Sequence, residues 1–175
     1  MHEAKTPSII KAAEIIKHLQ LTPHPEGGWF REVYRSTETI SAEALPERYT
    51  EKHNFSTSIY FLLEADDFSA FHRIKSDETW HFYTGSTVKL HIINEDGFLI
   101  EVVLGNNIAE GELFQYTITA NCWFAAEIDN QSDFALVGCT VAPGFDFTDF
   151  ELAGRESLCH VFPHHQALIE NFTRQ

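Results

Sequence analysis

The sequence predicts an all-β domain closed as a sandwich or barrel. Three observations predict it. From Trp29 to Val141 the chain runs as short segments rich in Val, Ile, Phe and Thr. Turn residues separate many of them, at Asp66-Asp67, Asn94-Glu95-Asp96-Gly97, Gly105-Asn106-Asn107 and Asp129-Asn130. Helical periodicity is confined to the two ends. Many short strands between turn signals can bury enough surface only by stacking or closing their sheets.

Taken in order, "TPSIIKAAEIIKHLQL" predicts an opening helix over about residues 7–19, with Thr6 as N-cap and Pro7 at its first position. Ile9, Ala12, Ala13, Ile16 and Leu19 supply its apolar stripe. "TPHPEGG" ends it with two prolines and two glycines. Gly27-Gly28 precede a strand rather than a helix, so they read as a turn and not as a phosphate loop. "WFREVYRS" then alternates, with Phe30, Glu32 and Tyr34 on one side and Trp29, Arg31 and Val33 on the other. "STSIYFLL", "FSAFHRI", "TWHFYTG", "VKLHII", "FLIEVVL", "LFQYTIT", "CWFAAEI" and "DFALVGCTV" follow as strands. "FPHHQALIENF" closes the chain as a helix over about residues 163–172, with His164 and His165 expected to be exposed. No repeat or linker interrupts the run. One domain over residues 1–175 is expected, with the barrel over about residues 29–150.

Composition narrows the function. Twelve Lys and Arg against 26 Asp and Glu give a net charge of −14, which argues against nucleic acid or an anionic membrane as partner. No apolar run approaches the ~20 residues of a spanning helix. "MHEAKTPSII" lacks the apolar core of a signal peptide. Cys122, Cys139 and Cys159 are an odd set without close spacing, which suits free thiols in a reducing compartment. A soluble cytoplasmic protein is expected. A strand apolar on both faces, as at Trp29, Phe30, Val33 and Tyr34, further suggests that a second copy covers it, as a homodimer.

The chemistry concentrates in "HRIKSDETWHFYTG", from His72 to Gly85. Lys75-Ser76-Asp77 reads as a turn between two strands. Parity puts Glu78, Trp80 and Phe82 on one face of the second strand and Thr79, His81 and Tyr83 on the other. Adjacent antiparallel strands would bring His72 and Glu78 together, as half of a metal site or as an acid–base pair.

This stretch resembles the first motif of the cupin superfamily: His-x-His, three or four residues, Glu, six residues, Gly. His72, Glu78 and Gly85 match it, whereas Ile74 replaces the second histidine. The second motif is matched loosely from Gly111, with Thr119 for proline, Asn121 for glycine and Phe124 where the fourth ligand stands. "HPEGGWFREVYRS", "STSIYFLL", "FHRIKSDETWHFYTG" and "VAPGFDFTDFEL" resemble the signature segments of an uncharacterised cupin family that includes a yeast member, over about residues 10–170. The resemblance implies a cupin-type double-stranded β-helix, or jelly-roll barrel, paired as a homodimer, with a pocket in the barrel mouth. It also implies kinship with deoxysugar-nucleotide epimerases that work without metal.

A transition metal normally takes three or more protein ligands. With Ile74 and Phe124 in two of the four places, no metal and no cofactor is expected. His72 is then the acid or base, Glu78 its partner, and His81 or Tyr83 the complementary proton donor. Trp80, Phe82, Trp123 and Phe124 supply an aromatic wall for a small-molecule ligand, with Asn121 beside it. The plainer reading makes His81 a structural histidine and Trp80 and Phe82 core. "APGFDFTDFEL" places Phe145, Phe147 and Phe150 either at a packed edge or on the wall of the mouth. Two function classes follow: a metal-independent isomerase or epimerase of a carbonyl-bearing, sugar-like metabolite, and a binding module that holds such a ligand unchanged. A metal-dependent cupin oxygenase is weakened by Ile74 and Phe124.

Overall fold

The computed structural model describes residues 10–129 and 134–174. Thr6, Pro7 and Asn130, used above as caps and turn, lie outside them. The first helix, α1, covers Ala12–Leu19. Strands β1 (Thr22–Pro23), β2 (Trp29–Arg35), β3 (Thr39–Ile40), β4 (His53–Asn54), β5 (Thr57–Glu64) and β6 (Ser69–Arg73) come next. β7 (Asp77–Gly85), β8 (Val88–Ile93), β9 (Leu99–Leu104) and β10 (Gln115–Ile118) continue the run. β11 (Trp123–Ile128), β12 (Phe134–Ala142) and β13 (Glu151–Leu152) complete it, before α2 (Arg155–Val161) and α3 (Gln166–Asn171).

The main strands form two antiparallel sheets. One has six strands in the order β1-β2-β5-β12-β7-β10, and the other has five in the order β13-β6-β11-β8-β9. Neighbours in space are far apart in sequence, as β12 between β5 and β7 shows. That crossing pattern is the jelly roll. The inner faces meet in a core that includes Phe61, Leu63, Trp80, Leu90, Phe124 and Val137. Each fully buried large side chain in such a layer contributes about 1.5–3 kcal/mol. β5 is apolar on both faces because both are covered. Phe61 and Leu63 face the core, while Leu62 packs outward under α1 with Leu21 and Phe134. Behind the five-stranded sheet, Phe71, Ile93 and Trp123 pack on Leu158 of α2 and on Ile169 and Phe172 at α3.

Three expectations change. The closing helix is broken in two: α2 precedes the expected start, and a 3-10 turn at Pro163–His165 separates it from α3. His165 is half-buried, its Nε2 hydrogen-bonded to the Gly97 carbonyl at 2.9 Å. Strand parity also fails at a bulge in β2, while a second bulge, in β7, leaves the faces of Glu78 to Tyr83 as parity assigns them. In β2 the register slips between Glu32 and Tyr34, so Phe30, Glu32 and then Arg35 face inward, while Val33 and Tyr34 are exposed. In β7 it slips beside Tyr83, where Val137 pairs with Phe82 and Leu136 with Thr84.

Candidate active site

A cavity of about 190 Å³ opens between the sheets. Its polar groups are His24, Glu26, His72 and Glu78, with Glu32, Arg35 and Asp146 toward the mouth. Phe30, Phe61, Trp80, Phe145, Phe147 and Phe150 supply apolar walls.

His72 and Glu78 both line this cavity, but not as neighbours. β6 and β7 belong to different sheets, so the two residues approach from opposite sides of the barrel rather than across one hairpin. The carboxylate that meets His72 is Glu26. Its Oε2 lies 3.2 Å from His72 Nε2 and 3.3 Å from His24 Nδ1, and Ser69 Oγ donates to its Oε1 at 2.8 Å.

The glycines explain how Glu26 arrives there. Gly27 and Gly28 both have positive φ, at 115° and 70°. A Cβ on Gly27 would meet the Phe68 carbonyl at 2.2 Å, and one on Gly28 the Leu62 carbonyl at 2.7 Å. Only glycine lets the loop lie this close to β5 and β6. The Glu26 carbonyl then accepts from Ala70 N–H at 2.9 Å and from Arg174 at 3.3 Å, and Arg174 also pairs with Asp67 at 2.6 Å.

The tautomer of His72 follows from its partners. Nδ1 lies 2.8 Å from the Ala70 carbonyl, which can only accept, so Nδ1 carries a proton. Nε2 faces Glu26 Oε2 at 3.2 Å. Burial works against the charged form of Glu26, but the charge of His72, the hydrogen bonds from His24 and Ser69 and the charge of His24 outweigh it and hold this carboxyl low. Burial also pushes the His72 imidazole down, against the pull of Glu26 and the Ala70 carbonyl. The pair titrates as one unit.

Glu78 goes the other way. Burial, reinforced by the charge of Glu26, pushes it up to about 8, so it is a neutral acid at pH 7. The Cys139 thiol and the Trp80 indole are close enough to oppose this in part, although Trp80 Nε1 makes no aligned hydrogen bond. The Cys139 thiol is raised well above its usual value by burial and by the two carboxyls, which keeps it protonated. Two carboxyls in one cavity thus stand in opposite states, the arrangement acid–base chemistry requires.

The mouth is built by the segment after β12. Asp149 pairs with His53 Nε2 and, at 2.8 Å, with Lys75 Nζ. These contacts hold the 3-10 turn at Phe147–Asp149 so that Phe147 and Phe150 lean over the opening, 6.0 and 5.8 Å from the His24 ring. Of the two readings of this segment, pocket wall is the one the geometry bears out.

Other expected site residues lie elsewhere. His81 and Tyr83 are on the outer face of β7 and do not reach the cavity. His81 contacts Gln115 and Thr140, each at 3.2 Å, and the Tyr83 hydroxyl lies over Gly138 beside Tyr60. They cannot serve as the complementary group to His72. Phe82 packs at the margin of the core instead of lining the cavity. Trp123 is on the opposite side of its sheet, under the Arg73 guanidinium at 4.6 Å. Asn121 sits in the turn before β11 with φ 66°, and its N–H bonds the Ile74 carbonyl. It takes the left-handed conformation a glycine would take, not a ligand contact. Phe124 pairs with His72 across β6 and β11, its ring 4.0 Å away, and so stands beside His72, not across from it.

A family model described as "Cupin superfamily (DUF985)" matches residues 13–153. The chain belongs to the Cupin_5 family. A hypothetical protein from Leishmania major is similar to this cupin at 34% identity and a TM-score of 0.86, over 95% of this chain and all of that one. A protein of known structure from Shewanella oneidensis is similar at 37% identity and a TM-score of 0.85, covering 95% of this chain and 99% of its own. An uncharacterised protein of Saccharomyces cerevisiae is 29% identical over 160 residues, which span 85% of this chain and 78% of that protein.

The cupin metal set would fall on His72, Ile74, Glu78 and Phe124. Ile74 lines the cavity and the Phe124 ring packs, tilted, against His72, so hydrocarbon fills two of the four places. Among the described residues no group of three or more His, Cys, Asp and Glu is arranged to hold a metal. The residues present do not fit that centre.

Proposed function

We propose that this cupin binds a small carbonyl compound between its sheets and moves a proton at the carbon beside the carbonyl. The observation that carries the reading is the buried Glu26–His72 pair at 3.2 Å, open to a cavity that also holds a neutral Glu78. The pair takes a proton from the carbon, at the Glu26 carboxylate or at His72 Nε2. Its charge thereby rises by one as the negative charge forms on the enolate. Glu78 donates a hydrogen bond to the oxygen where that charge collects. Return of the proton by the pair to a neighbouring atom shifts the double bond, whereas delivery of the Glu78 proton from the opposite sheet to the far face inverts the carbon, the two groups then re-exchanging protons with solvent. The reaction class is isomerase or epimerase.

The test is deuterium uptake from D₂O, followed by mass spectrometry, across a panel of neutral sugars, lactones and cyclic ketones. We expect one carbon-bound hydrogen to exchange, and His72→Asn to slow it by about 10²–10⁴-fold. Equal rates in both forms would sink the reading. The second reading, ligand binding without turnover, draws on one observation: Glu26 already has three side-chain partners, His24, His72 and Ser69. It forecasts no exchange in either form.

A further inference from the structure

We infer that the cavity selects an uncharged, ring-sized carbonyl compound and turns away anions, phosphate esters and nucleotide sugars included. The inference narrows the proton-transfer reading and rests on it for the carbonyl.

The cavity's cation is already engaged. Among the described lining residues Arg35 is the one fixed positive charge. Its Nε and Nη2 grip the two oxygens of Glu32 at 3.0 and 2.7 Å. Its Nη1 donates to Asn54 Oδ1 at 2.9 Å and to the Phe145 carbonyl at 3.0 Å. The guanidinium is occupied in holding β2 to the mouth segment, and its charge is matched by a bidentate carboxylate. Asp146 adds a further negative charge at the same mouth. An entering phosphate or carboxylate would lose its water, find no free cation and approach Glu26. Burying an unpaired anion costs several kcal/mol or drives its protonation.

Trp80 Nε1 is buried and has no hydrogen-bond partner among the described residues. It stands beside the Glu78 carboxyl on the cavity wall. An unmade hydrogen bond on a buried N–H is unfavourable, and a ligand oxygen would restore it. Two donors at one place, an indole N–H and a carboxylic O–H, ask for an acceptor such as a carbonyl. A cation would meet both of them the wrong way round. About 190 Å³ falls below the roughly 300–1,000 Å³ of sites that enclose drug-sized molecules, so a single ring fits and a nucleotide does not.

The experiment uses four probes of one shape: cyclohexanone, cyclohexanol, cyclohexanecarboxylate and cyclohexyl phosphate. Binding is followed in ¹H–¹⁵N spectra through the Trp80 indole signal, assigned with Trp80→Phe or, should that variant not fold, by elimination with Trp29→Phe and Trp123→Phe. We expect cyclohexanone to move the Trp80 signal and to bind at least about a hundredfold more tightly than either anion. An anion binding within about threefold of the ketone overturns the inference, as does cyclohexanol matching the ketone, or no probe binding at millimolar concentration. Deuterium exchange at the carbon beside the bound ketone's carbonyl separates the two readings. A ketone that binds without exchanging ends the proton-transfer reading and leaves the ligand class standing. An anion that binds as tightly as a ketone that exchanges does the reverse.

Discussion

Two of the buried histidines in this chain, His72 and His91, each face carboxylates, and they have different consequences. His91 is 2% exposed, on the outer side of the five-stranded sheet. Its Nε2 meets Glu127 at 2.8 Å, and its Nδ1 lies 3.1 Å from Glu101 without hydrogen-bond alignment. Both carboxylates reach water, at 41% and 46% side-chain exposure, and Lys89 closes on Glu101 at 2.7 Å. Phe172 covers the imidazole at 4.9 Å. His72 is equally buried, but its carboxylate is buried too, and beside the pair is open volume holding a second carboxyl in the opposite protonation state. A buried histidine next to an acid is therefore not in itself a site. Enclosed charge, adjoining space and a neighbour of opposed protonation make it one.

The comparison breaks most visibly at the carboxylates. Glu26→Gln removes the charge that His72 faces and leaves the shape. We expect exchange activity to fall about 10²–10⁴-fold, while Glu127→Gln, measured in the same assay, leaves it unchanged. A comparable loss in both variants would erase the distinction between the two histidines.

Glu78 sharpens it through pH. Its carboxyl is raised from the ordinary 4.5 to about 8. Below the lower value both the folded and unfolded chains hold the proton. Between the two values the unfolded chain has released it and the folded chain keeps it, so stability falls as pH rises. The loss approaches roughly 5 kcal/mol by about pH 8 and then levels off. Glu78→Gln imitates the neutral acid and removes this term. Urea unfolding at about pH 5 and about pH 9 should show the variant more stable than the native protein only at the higher pH. A variant equally destabilised at both would contradict the neutral state of Glu78.

The smallest effect concerns the outer face of β7. His81→Gln and Tyr83→Phe should leave exchange at the native rate, because neither side chain reaches the cavity. A loss on the scale of His72→Asn would place them back in the mechanism.

The fold was legible because strand segments and turn residues recur along the chain, and two sheets are the economical way to bury them. His72 and Glu78 were legible from motif spacing. What parity could not give is where it breaks. The bulges at Val33 and Tyr83 arise from pairing across strands, which no single strand's sequence displays. Glu26 was missed because "HPEGG" reads as punctuation. Its signal was the glycine pair itself, since two adjacent residues at positive φ mark a close approach of backbone to backbone. The sequence leaves Phe145, Phe147 and Phe150 between edge and wall. The Asp149 contacts to His53 and Lys75 that decide between them join residues 96 and 74 positions apart.

The Arg174 clasp on the Glu26 loop sets an order of events during synthesis. Donor and acceptor are 148 residues apart, so a growing chain carries the pocket's carboxylate long before it carries the side chain that clamps it. The strands between them can pair as they emerge, but the loop at Gly27-Gly28 is seated on both sides only after Arg174 has left the ribosome. Contacts of such separation form late and slowly. A chain stalled before that point would display a nearly finished barrel whose acidic loop is still held from one side alone.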